Sequence, residues 1–438
     1  MTPLTQTADV AIPELAGLQR RLLLAGAVGA AISLVGAFID IRQFMQSYLM
    51  AYMLCLGVTL GCLALGMVHQ LSGGAWGVVI RRPIGAATRT LPVMTVLFLP
   101  IALGMRYLFV WTNADLVAHD EILQHKHLYL NTPFFLVRAA IYFAVWNALA
   151  YFLNSWSLRQ DRTAEEKLAR RMQMLSGGGL LAYGFTITFA SFDWLMSLEP
   201  HWFSTIYGVL IMGGQGLSAL AFLIVVLVWL SRRPPLDRIV APSHFHDLGN
   251  LMLAFVMLWA YFSFSQYLII WSGNLPAEIG WYLHRLQTGW RAVGLVLILC
   301  HFAAPFVVLL SRTVKREPQL LVKVAVGISL ILFHFAAPFV LLLSRAVKRA
   351  PDLLVKVAIG VLLVRLLDLF WLIAPEFHQT GVSVSWMDIV LPLTLGSLWL
   401  ACFIRQLRGR AILPLHDPEF DEALGRIIER GAPPRTAH

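Results

Sequence analysis

Charged residues are scarce in this sequence. Aspartate, glutamate, lysine and arginine together make up 13% of its 438 residues, whereas a soluble domain carries roughly 25%. Hydrophobic residues make up 58%, and apolar runs of about 20 residues recur along most of the chain. A soluble globular protein, a disordered chain, a collagen and a disulfide scaffold are therefore excluded. The runs do not alternate apolar and polar residues as barrel strands do, so the sequence predicts an all-α polytopic membrane protein.

Cysteine is also rare, and no metal-binding motif is present. All four cysteines lie in apolar runs, and none belongs to a C-x-x-C pair: Cys55, Cys62, Cys300 and Cys402. Without a C-x-x-C-H motif or a cysteine quartet, covalent haem and an iron–sulfur cluster are not expected in this chain. A b-type haem needs two facing histidines, and the mid-span histidines are His301 and His334, which belong to a repeat. Because the cysteines lie in apolar runs and outside any metal-binding motif, we expect them to be core or lipid-facing hydrophobic residues.

Eleven apolar segments are long enough to cross a bilayer. They lie at about 22–40, 46–69, 90–111, 133–157, 175–196, 203–231, 248–272, 290–311, 320–345, 353–374 and 386–405. Residues 1–21 are predicted to form a cytoplasmic lead-in, residues 22–405 a transmembrane helical domain, and residues 406–438 a polar C-terminal tail.

A near-identical tandem repeat complicates the C-terminal spans. Residues 301–327 and 334–360 are offset by 33 positions and agree at 22 of 27, which indicates a recent duplication or a sequence error. About ten transmembrane helices are expected if one copy is ignored, and eleven if both copies span. The eleven-span interpretation violates the positive-inside rule from Arg345 onward, and the ten-span interpretation obeys it everywhere.

Basic residues alternate from loop to loop. Before span one and after spans two, four, six and eight the chain carries Arg20, Arg21, Arg81, Arg82, Arg89, Arg159, Arg162, Lys167, Arg170, Arg171, Arg232, Arg233, Arg238, Arg312, Lys315, Arg316 and Lys323. The loops between are poorer in lysine and arginine. The positive-inside rule therefore predicts a cytoplasmic N-terminus and places 115–127 and 193–201 outside. This distribution explains the net charge of +10 without a nucleic-acid partner.

Several ionisable residues lie inside predicted spans, where each costs about 2.5–3.5 kcal/mol to insert. Arg365 and Asp368 have i,i+3 spacing, which makes them neighbours on one helix face. They are either an internal ion pair or a proton-accepting carboxylate with a tuning cation. Arg106 and Arg138 lie near outer span ends. They either snorkel to the interface or have a function, in which case they hold an anionic or quinone head group or pair with Asp193 across the bundle.

The start of span seven reads HFHDLGN. On a helix, His246, Asn250 and Tyr261 fall in one 60° sector, and Asp247 points elsewhere. His246 and Asp247 are either ordinary helix-start residues, since aspartate favours a helix N-terminus, or the inner mouth of a proton path.

The segment SFDWLMSLEPHWFSTIYG at 191–208 has two interpretations. Its tryptophans can form an interfacial belt while its acids face water. Alternatively, Asp193 and His201 with flat aromatic side chains suit a quinol head group, whose oxidation needs a nearby proton acceptor.

Five segments are long and unusual in composition: AWGVVIRR (75–82), LNTPFFLVRAAIYFAVW (130–146), SFDWLMSLEPHWFSTIYG (191–208), HDLGNLMLAFVMLWAYFSFSQYLIIWSGNLP (246–276) and VRLLDLFWLIAP (364–375). They resemble the ActF-type membrane subunits of alternative complex III, a bacterial quinol:cytochrome c oxidoreductase. The resemblance covers about residues 46–405. It implies two four-helix bundles plus peripheral helices, as in the NrfD-like membrane subunit of polysulfide reductase. The repeat at 301–360 departs from the family pattern.

The resemblance also implies partners and a location. The partners are a sister NrfD-like membrane subunit, a periplasmic iron–sulfur subunit and haem c subunits in the bacterial cytoplasmic membrane, with a terminal oxidase as a further candidate. The better-supported quinol site of that family lies in the sister subunit. ActF-type subunits are called quinone-binding largely by homology and are proposed to carry a proton path.

The chain is therefore expected to be a non-autonomous subunit that binds quinone or conducts protons and holds no redox metal. The candidate residues for these roles are Asp193, His201, Arg138, His246, Asp247, Tyr261, Arg365 and Asp368. A purely structural anchor is one alternative. A proton-coupled secondary transporter is another, although such proteins usually show inverted rather than tandem repeats.

Overall fold

A computed structural model describes residues 13–298 and 351–408, except for 164, 235, 288 and 380. In this part of the chain every regular element is helical. The α-helices are α1 (Pro13–Ile39), α2 (Ile41–Ser72), α3 (Ala75–Thr88), α4 (Leu91–Val96), α5 (Leu99–Leu103), α6 (Met105–Leu108), α7 (Ala114–Ala118), α8 (Glu121–Lys126), α9 (Thr132–Thr163), α10 (Glu166–Trp194), α11 (Tyr207–Leu230), α12 (Pro242–Gly273), α13 (Pro276–Gln287), α14 (Trp290–Ile298), α15 (Pro351–Phe377) and α16 (Met387–Leu407). Single 3₁₀ turns lie at Val110–Thr112, Met196–Leu198 and Leu236–Arg238.

Nine helical segments of the described residues are long and apolar enough to cross a membrane. They are Glu14–Ile39, Ile41–Ser72, Ala75–Leu103, Thr132–Thr163, Lys167–Leu198, Tyr207–Leu230, Pro242–Gly273, Leu354–Phe377 and Met387–Leu407. The all-α polytopic membrane fold is thereby confirmed. The expected spans at 290–311 and 320–345 lie largely or wholly outside the described residues, as does the first repeat copy.

Two predicted boundaries are wrong. The first helix begins at Pro13, inside the expected lead-in. The residues between Pro13 and the first apolar run belong to the same helix as that run. The third span begins at Ala75 rather than near residue 90. It is broken near Arg89 and Leu97, and each following helix starts with a proline at one of its first two positions. Proline suits the first turn of a helix because its missing N–H would have no partner there.

Helices α2 and α11 lie at the centre of the molecule. α2 contacts α3, α10, α11, α15 and α16, and α11 contacts α2, α10, α12 and α15. One group of packed helices comprises α2, α3, α4, α9 and α10, and a second contains α11, α12 and α15. α1 packs on α16 at the periphery and exposes apolar side chains such as Phe38, as a lipid-facing helix would.

Two ends of the bundle can be distinguished. The connections at 72–75, 163–166 and 230–242 lie at one end, here named the basic end for its arginines, and those at 39–41, 108–132, 194–207, 273–276 and 377–387 lie at the opposite end. Arg232 forms an ion pair with Asp352, so α15 begins at the basic end. Arg408 at the end of α16 donates to Gln19 of α1 there. These directions for α15 and α16 are those of the ten-span interpretation, and the eleven-span interpretation would reverse both.

Candidate functional site

Arg365 and Asp368 form a buried ion pair in the middle of α15. Nη1 of Arg365 donates to Oδ2 of Asp368, and the two residues are 5% and 4% exposed. Gly214 of α11 makes room for this pair, because a Cβ atom there would lie 2.7 Å from Nη1 of Arg365. The i,i+3 spacing seen in the sequence therefore brings the two side chains together inside the bundle.

Asp368 lines a cavity of about 200 Å³ between α11, α12, α13 and α15. The other lining residues are Leu210, Trp259, Ala260, Ser263, Phe264, Gln266, Tyr267, Tyr282, Arg285, Leu286, Gly294, Trp371 and Leu372. Most are apolar or aromatic, and the side chains with polar groups other than indole are Ser263, Gln266, Tyr267, Tyr282, Arg285 and Asp368. Mostly apolar walls with a few convergent polar groups are typical of small-molecule sites.

Arg285 of α13 is the second cation of this cavity. It is 2% exposed, its guanidinium carbon lies 3.7 Å from the ring centroid of Trp281, and Nη1 donates to the Trp281 carbonyl at 3.1 Å. Nη1 also forms a 3.4 Å ion pair with Glu199. Burial lowers the pKa of Arg285, and the carboxylate of Glu199 opposes this shift.

Arg285 was not expected in a site, because residues 276–287 are polar enough in sequence to be assigned to a loop. In the structure they form α13, which turns one face toward the bundle: Trp281 is 3% exposed and packs against Trp371 at a centroid distance of 5.2 Å. The alternation of aromatic and charged residues in PAEIGWYLHRLQ was the available signal for an amphipathic helix. Tyr282 on this helix accepts a hydrogen bond from Gln266, and burial raises its pKa to about 12.

Polar residues continue from Asp368 toward the opposite end. The buried Tyr207 of α11 interacts electrostatically with Asp368, Arg285 and Glu199. Glu376, at the end of α15, interacts with Glu199 and Arg285. Glu376 also lines a second cavity, of about 610 Å³, which reaches the connection between α6 and α7.

This second cavity is predominantly polar and was not expected from the sequence. Gln46 lines it, is 2% exposed, and has no hydrogen-bond partner for its amide nitrogen or oxygen among the described residues. Beside it, Asp388 accepts from Ser47 Oγ at 2.6 Å and from Gln43 Nε2 at 3.0 Å, and Gln43 Oε1 lies 3.0 Å from His378 Nε2. Glutamine and serine carry no sequence signal when isolated in an apolar run, which is why this cluster was missed. A buried amide that faces a polar cavity is a site for ordered water.

Arg138 and Asp193 form a second buried ion pair, between α9 and α10. Arg138 Nε and Nη2 donate to the two Asp193 oxygens at 2.9 and 2.8 Å, and Tyr142 donates to Oδ2 at 2.8 Å. Asp193 is completely buried and Trp194 is 1% exposed. Of the alternatives that the sequence left open, pairing of Arg138 with Asp193 is the one observed. A water-facing Asp193 and an interfacial Trp194 are not, because α10 extends through Trp194 and turns both side chains inward.

His201 does not join that pair. It is exposed, and its Nε2 lies 2.6 Å from Oδ2 of Asp120 at the start of α8. The backbone N–H of Leu123 lowers the pKa of Asp120, and the side-chain hydrogen bond with His201 adds to this effect. Arg106 is exposed as well, beside Tyr107, and does not contact Asp193.

The candidates of span seven are dispersed along α12. His246 and Asp247 are only partly buried near the basic end, with 3.6 Å between His246 Nδ1 and Asp247 Oδ1. Asn250 Nδ2 lies 3.2 Å from His246 Nδ1. Tyr261 is 63% exposed on the outer surface of α12, so it faces away from the Asp368 cavity, whose α12 wall includes Trp259 and Gln266.

The structure therefore brings Arg365 to Asp368, Arg138 to Asp193 and His246 to Asp247. His201 and Tyr261 lie apart from these pairs. Among the described residues, no group of three histidine, cysteine, aspartate or glutamate side chains could hold a metal ion. No protein-family model matches the sequence, and no curated protein matches it significantly.

Proposed function

We propose that this chain is an integral subunit of a respiratory quinol:cytochrome c oxidoreductase of the alternative complex III type, and that the Asp368 cavity binds the quinol head group. The proposal rests on the sequence motifs that resemble ActF-type subunits and on one structural observation. That observation is the position of a buried carboxylate, paired with Arg365, in the wall of an otherwise apolar cavity.

The cavity chemistry supports a quinol. A quinol ring is flat and apolar and carries two hydroxyl groups, and the cavity offers the flat surfaces of Trp259 and Trp371 with polar groups at its edge. Oxidation of one quinol gives one quinone, two protons and two electrons. Asp368 would accept the two protons from the quinol hydroxyls one after the other, passing on the first before it takes the second, and the two electrons would pass to a redox group on a partner subunit.

The polar route from Asp368 supports proton release toward the opposite end of the bundle. Tyr207 interacts electrostatically with Glu199 and Arg285. Glu376 interacts with the same two residues and lines the 610 Å³ cavity. If the basic end is cytoplasmic, as the positive-inside rule predicts, this route leads to the outer face of the bacterial cytoplasmic membrane. The sister membrane subunit, the iron–sulfur subunit and the haem c subunits are the proposed partners.

A structural anchor is the second candidate, and the Arg138–Asp193 pair favours it. Both carboxylate oxygens of Asp193 accept hydrogen bonds, and Arg138 Nη1 also donates to the Tyr129 carbonyl at 2.8 Å. Because the hydrogen-bonding groups of this pair have partners within the protein, a structural role is enough to explain why the pair is buried.

Asp368 variants separate the two functions. If the Asp368 cavity binds quinol, replacing Arg365 and Asp368 together by leucine should leave the assembly and haem content of the purified complex normal. Quinol turnover should fall by about 100-fold or more. If the chain is only a structural anchor, Asp368→Asn alone should impair assembly, because it leaves Arg365 unpaired at a cost of about 3–5 kcal/mol. The double replacement should then restore both assembly and turnover.

Asp237→Asn is the matched control, because Asp237 is exposed at the basic end and loses the same charge. It should assemble and turn over like the wild type. Full turnover and full proton release in a well-assembled Asp368→Asn complex would contradict the proposed role of this carboxylate.

A further inference from the structure

The cavity beside Asp368 is lined by two residues with buried, unpaired N–H groups. Nε1 of Trp371 and Nε of Arg285 have no hydrogen-bond partner among the described residues. A Cβ atom at Gly294, which also lines the cavity, would lie 3.9 Å from Trp371 Nε1, so the glycine leaves room beside this nitrogen. Because buried donors in folded proteins are nearly always paired, these two nitrogens indicate an acceptor that comes from outside the chain.

Tyr282 of α13 adds a third donor to the same cavity. Its hydroxyl oxygen accepts a 3.3 Å hydrogen bond from Nε2 of Gln266, and Oε1 of Gln266 accepts one of 3.3 Å from Ser204. A hydroxyl group accepts and donates at the same time, and the Tyr282 proton has no acceptor among the described residues. Since burial raises the pKa of Tyr282 to about 12, this donor keeps its proton at neutral pH.

The donors and the carboxylate occupy different parts of the cavity. Trp371 follows Asp368 by three residues on α15, which places it about 4.5 Å nearer the opposite end of the bundle. Nη2 of Arg285 donates to the carbonyl of Leu372 at 3.4 Å, and the guanidinium carbon lies 5.6 Å from the Trp371 ring centroid. Tyr282 lies one helical turn before Arg285. The donors are therefore grouped around Trp371, and the acceptor is at Asp368.

This arrangement distinguishes the two redox forms of a quinone. A quinone has two carbonyl oxygens at opposite ends of one flat ring, and a carbonyl oxygen only accepts, whereas a quinol hydroxyl both accepts and donates. An ionised carboxylate also only accepts. Asp368 can therefore pair with a quinol hydroxyl but not with a quinone carbonyl. Tyr282 and Trp371 can pair with the oxygen of either form.

We propose that Tyr282 and Trp371 hold one oxygen of the bound ring while Asp368 faces the other, so that these two donors set the affinity for the oxidised form. This inference rests on the proposed function and adds the residues that recognise the product. Either oxygen of the ring can face Asp368, so both quinol hydroxyls can reach the carboxylate in turn. Loss of a donor should weaken quinone binding more than quinol binding, and loss of the carboxylate should do the reverse.

The test measures binding to this chain and does not use turnover. The purified complex is photolabelled with an azido-substituted quinone, its chains are separated, and labelled peptides of α12, α13 and α15 are quantified by mass spectrometry. Separation of the chains excludes label bound to a partner subunit. A decyl-substituted benzoquinone and 2,3-dimethyl-1,4-naphthoquinone compete with the label, each in its oxidised and its anaerobically reduced form. The ring that competes better in the wild type is then used for the variants.

Tyr282→Phe removes one hydroxyl and keeps the ring that packs against Trp281 at a centroid distance of 4.7 Å. The quinone concentration that halves labelling should rise about tenfold, and the quinol concentration by less than about threefold, because a carbonyl depends on the lost donor. Trp371→Phe should shift the two concentrations in the same direction. Asp368→Asn should reverse the order, since an amide can donate to a carbonyl but no longer offers a charged acceptor to a hydroxyl.

Tyr151→Phe is the matched control, because Tyr151 is 67% exposed on α9 and loses the same hydroxyl group. It should compete like the wild type. Equal weakening of quinone and quinol in Tyr282→Phe, unchanged quinone competition in both donor variants, or an equal rise in Tyr151→Phe would overturn the inference and leave the quinol site standing. Absence of label from the α12, α13 and α15 peptides of the wild type would refute the proposed quinol site, and the inference with it.

Discussion

Arg138 and Asp193 form a bidentate hydrogen-bonded ion pair, although they are 55 residues apart in sequence. Neither carboxylate oxygen of Asp193 is exposed to water. The guanidinium carbon of Arg138 also lies 3.8 Å from the ring centroid of Tyr129 and 4.3 Å from that of Phe134. The pair therefore joins α9, α10 and the segment before α9 at the opposite end of the bundle. A contact that ties three segments together has a direct consequence for stability.

Asp193→Asn is expected to destabilise the protein strongly. The substitution leaves Arg138 buried without its counter-charge, and breaking one partner of a buried pair costs about 3–5 kcal/mol. Thermal aggregation of the detergent-solubilised protein measures the effect as a lowered midpoint. Tyr142→Phe, which removes one hydrogen bond to the same carboxylate and keeps both charges, should cost only about 1–3 kcal/mol. If the two variants unfold at the same temperature, the charge pair does not dominate the stability that this contact provides.

The crossing of α2 and α11 depends on Gly61. A Cβ atom at position 61 would lie against the carbonyl oxygen of Gln215 and 2.7 Å from Cβ of Ala219. Gly61→Ala should therefore force the two central helices apart and destabilise the protein by about 1–3 kcal/mol. The measurement is the recovery of monodisperse protein after a heating series.

Gly177→Ala is the matched control for that substitution. Gly177 lies inside α10, and nothing approaches a Cβ atom there within 4 Å. Because alanine favours helix over glycine by up to about 1 kcal/mol, this variant should be as stable as the wild type or slightly more so. An equal loss in both variants would show that the α2–α11 contact is not the cause.

The start of α8 is expected to loosen in acid. The pKa of Asp120 is lower in the folded state than the ordinary value of about 3.9. The ionised carboxylate therefore stabilises the fold above that ordinary value, and the contribution is lost as pH falls through the folded-state pKa. Hydrogen exchange of the Ile122 and Leu123 amides, which donate to Asp120 Oδ1, should lose protection as the pH falls below the ordinary value and through the lower folded-state pKa.

Asp120→Ser separates this titration from other acid effects. Serine keeps a capping oxygen at the helix start but has no carboxyl group to titrate. Protection of the same two amides should then be independent of pH over the same range. The same pH dependence in both proteins would assign the transition to another group.

The two ends of the bundle can be assigned to the two sides of the membrane by labelling. His119 is exposed at the opposite end, and Glu165 lies at the basic end. In a background without the four native cysteines, His119→Cys should react with an impermeant maleimide added to intact cells with a permeabilised outer membrane. Glu165→Cys should react only after lysis, since the positive-inside rule places the basic end in the cytoplasm. The reverse labelling pattern would invert the topology.

The membrane fold could be predicted from the sequence because it depends on summed local properties. Length and hydropathy are enough to identify spans, since a bilayer requires about 20 apolar residues and internal backbone hydrogen bonding. The proximity of Arg365 and Asp368 was equally predictable, because helix geometry alone makes i and i+3 neighbours. Boundaries were less predictable where a helix continues into polar residues, as α3 does through Arg81 and Arg82.

Contacts between distant segments were decided by tertiary structure alone. Whether Asp193 faces water or Arg138 depends on how far α10 continues and on its rotation against α9, and neither is encoded in the spacing within one helix. The burial of Arg285 likewise depends on α13 folding against α15. Alternating basic loops and apolar runs thus determined that this chain crosses a membrane many times. Only packing decided which of its polar groups share a cavity, because long-range contacts depend on the mutual orientation of helices.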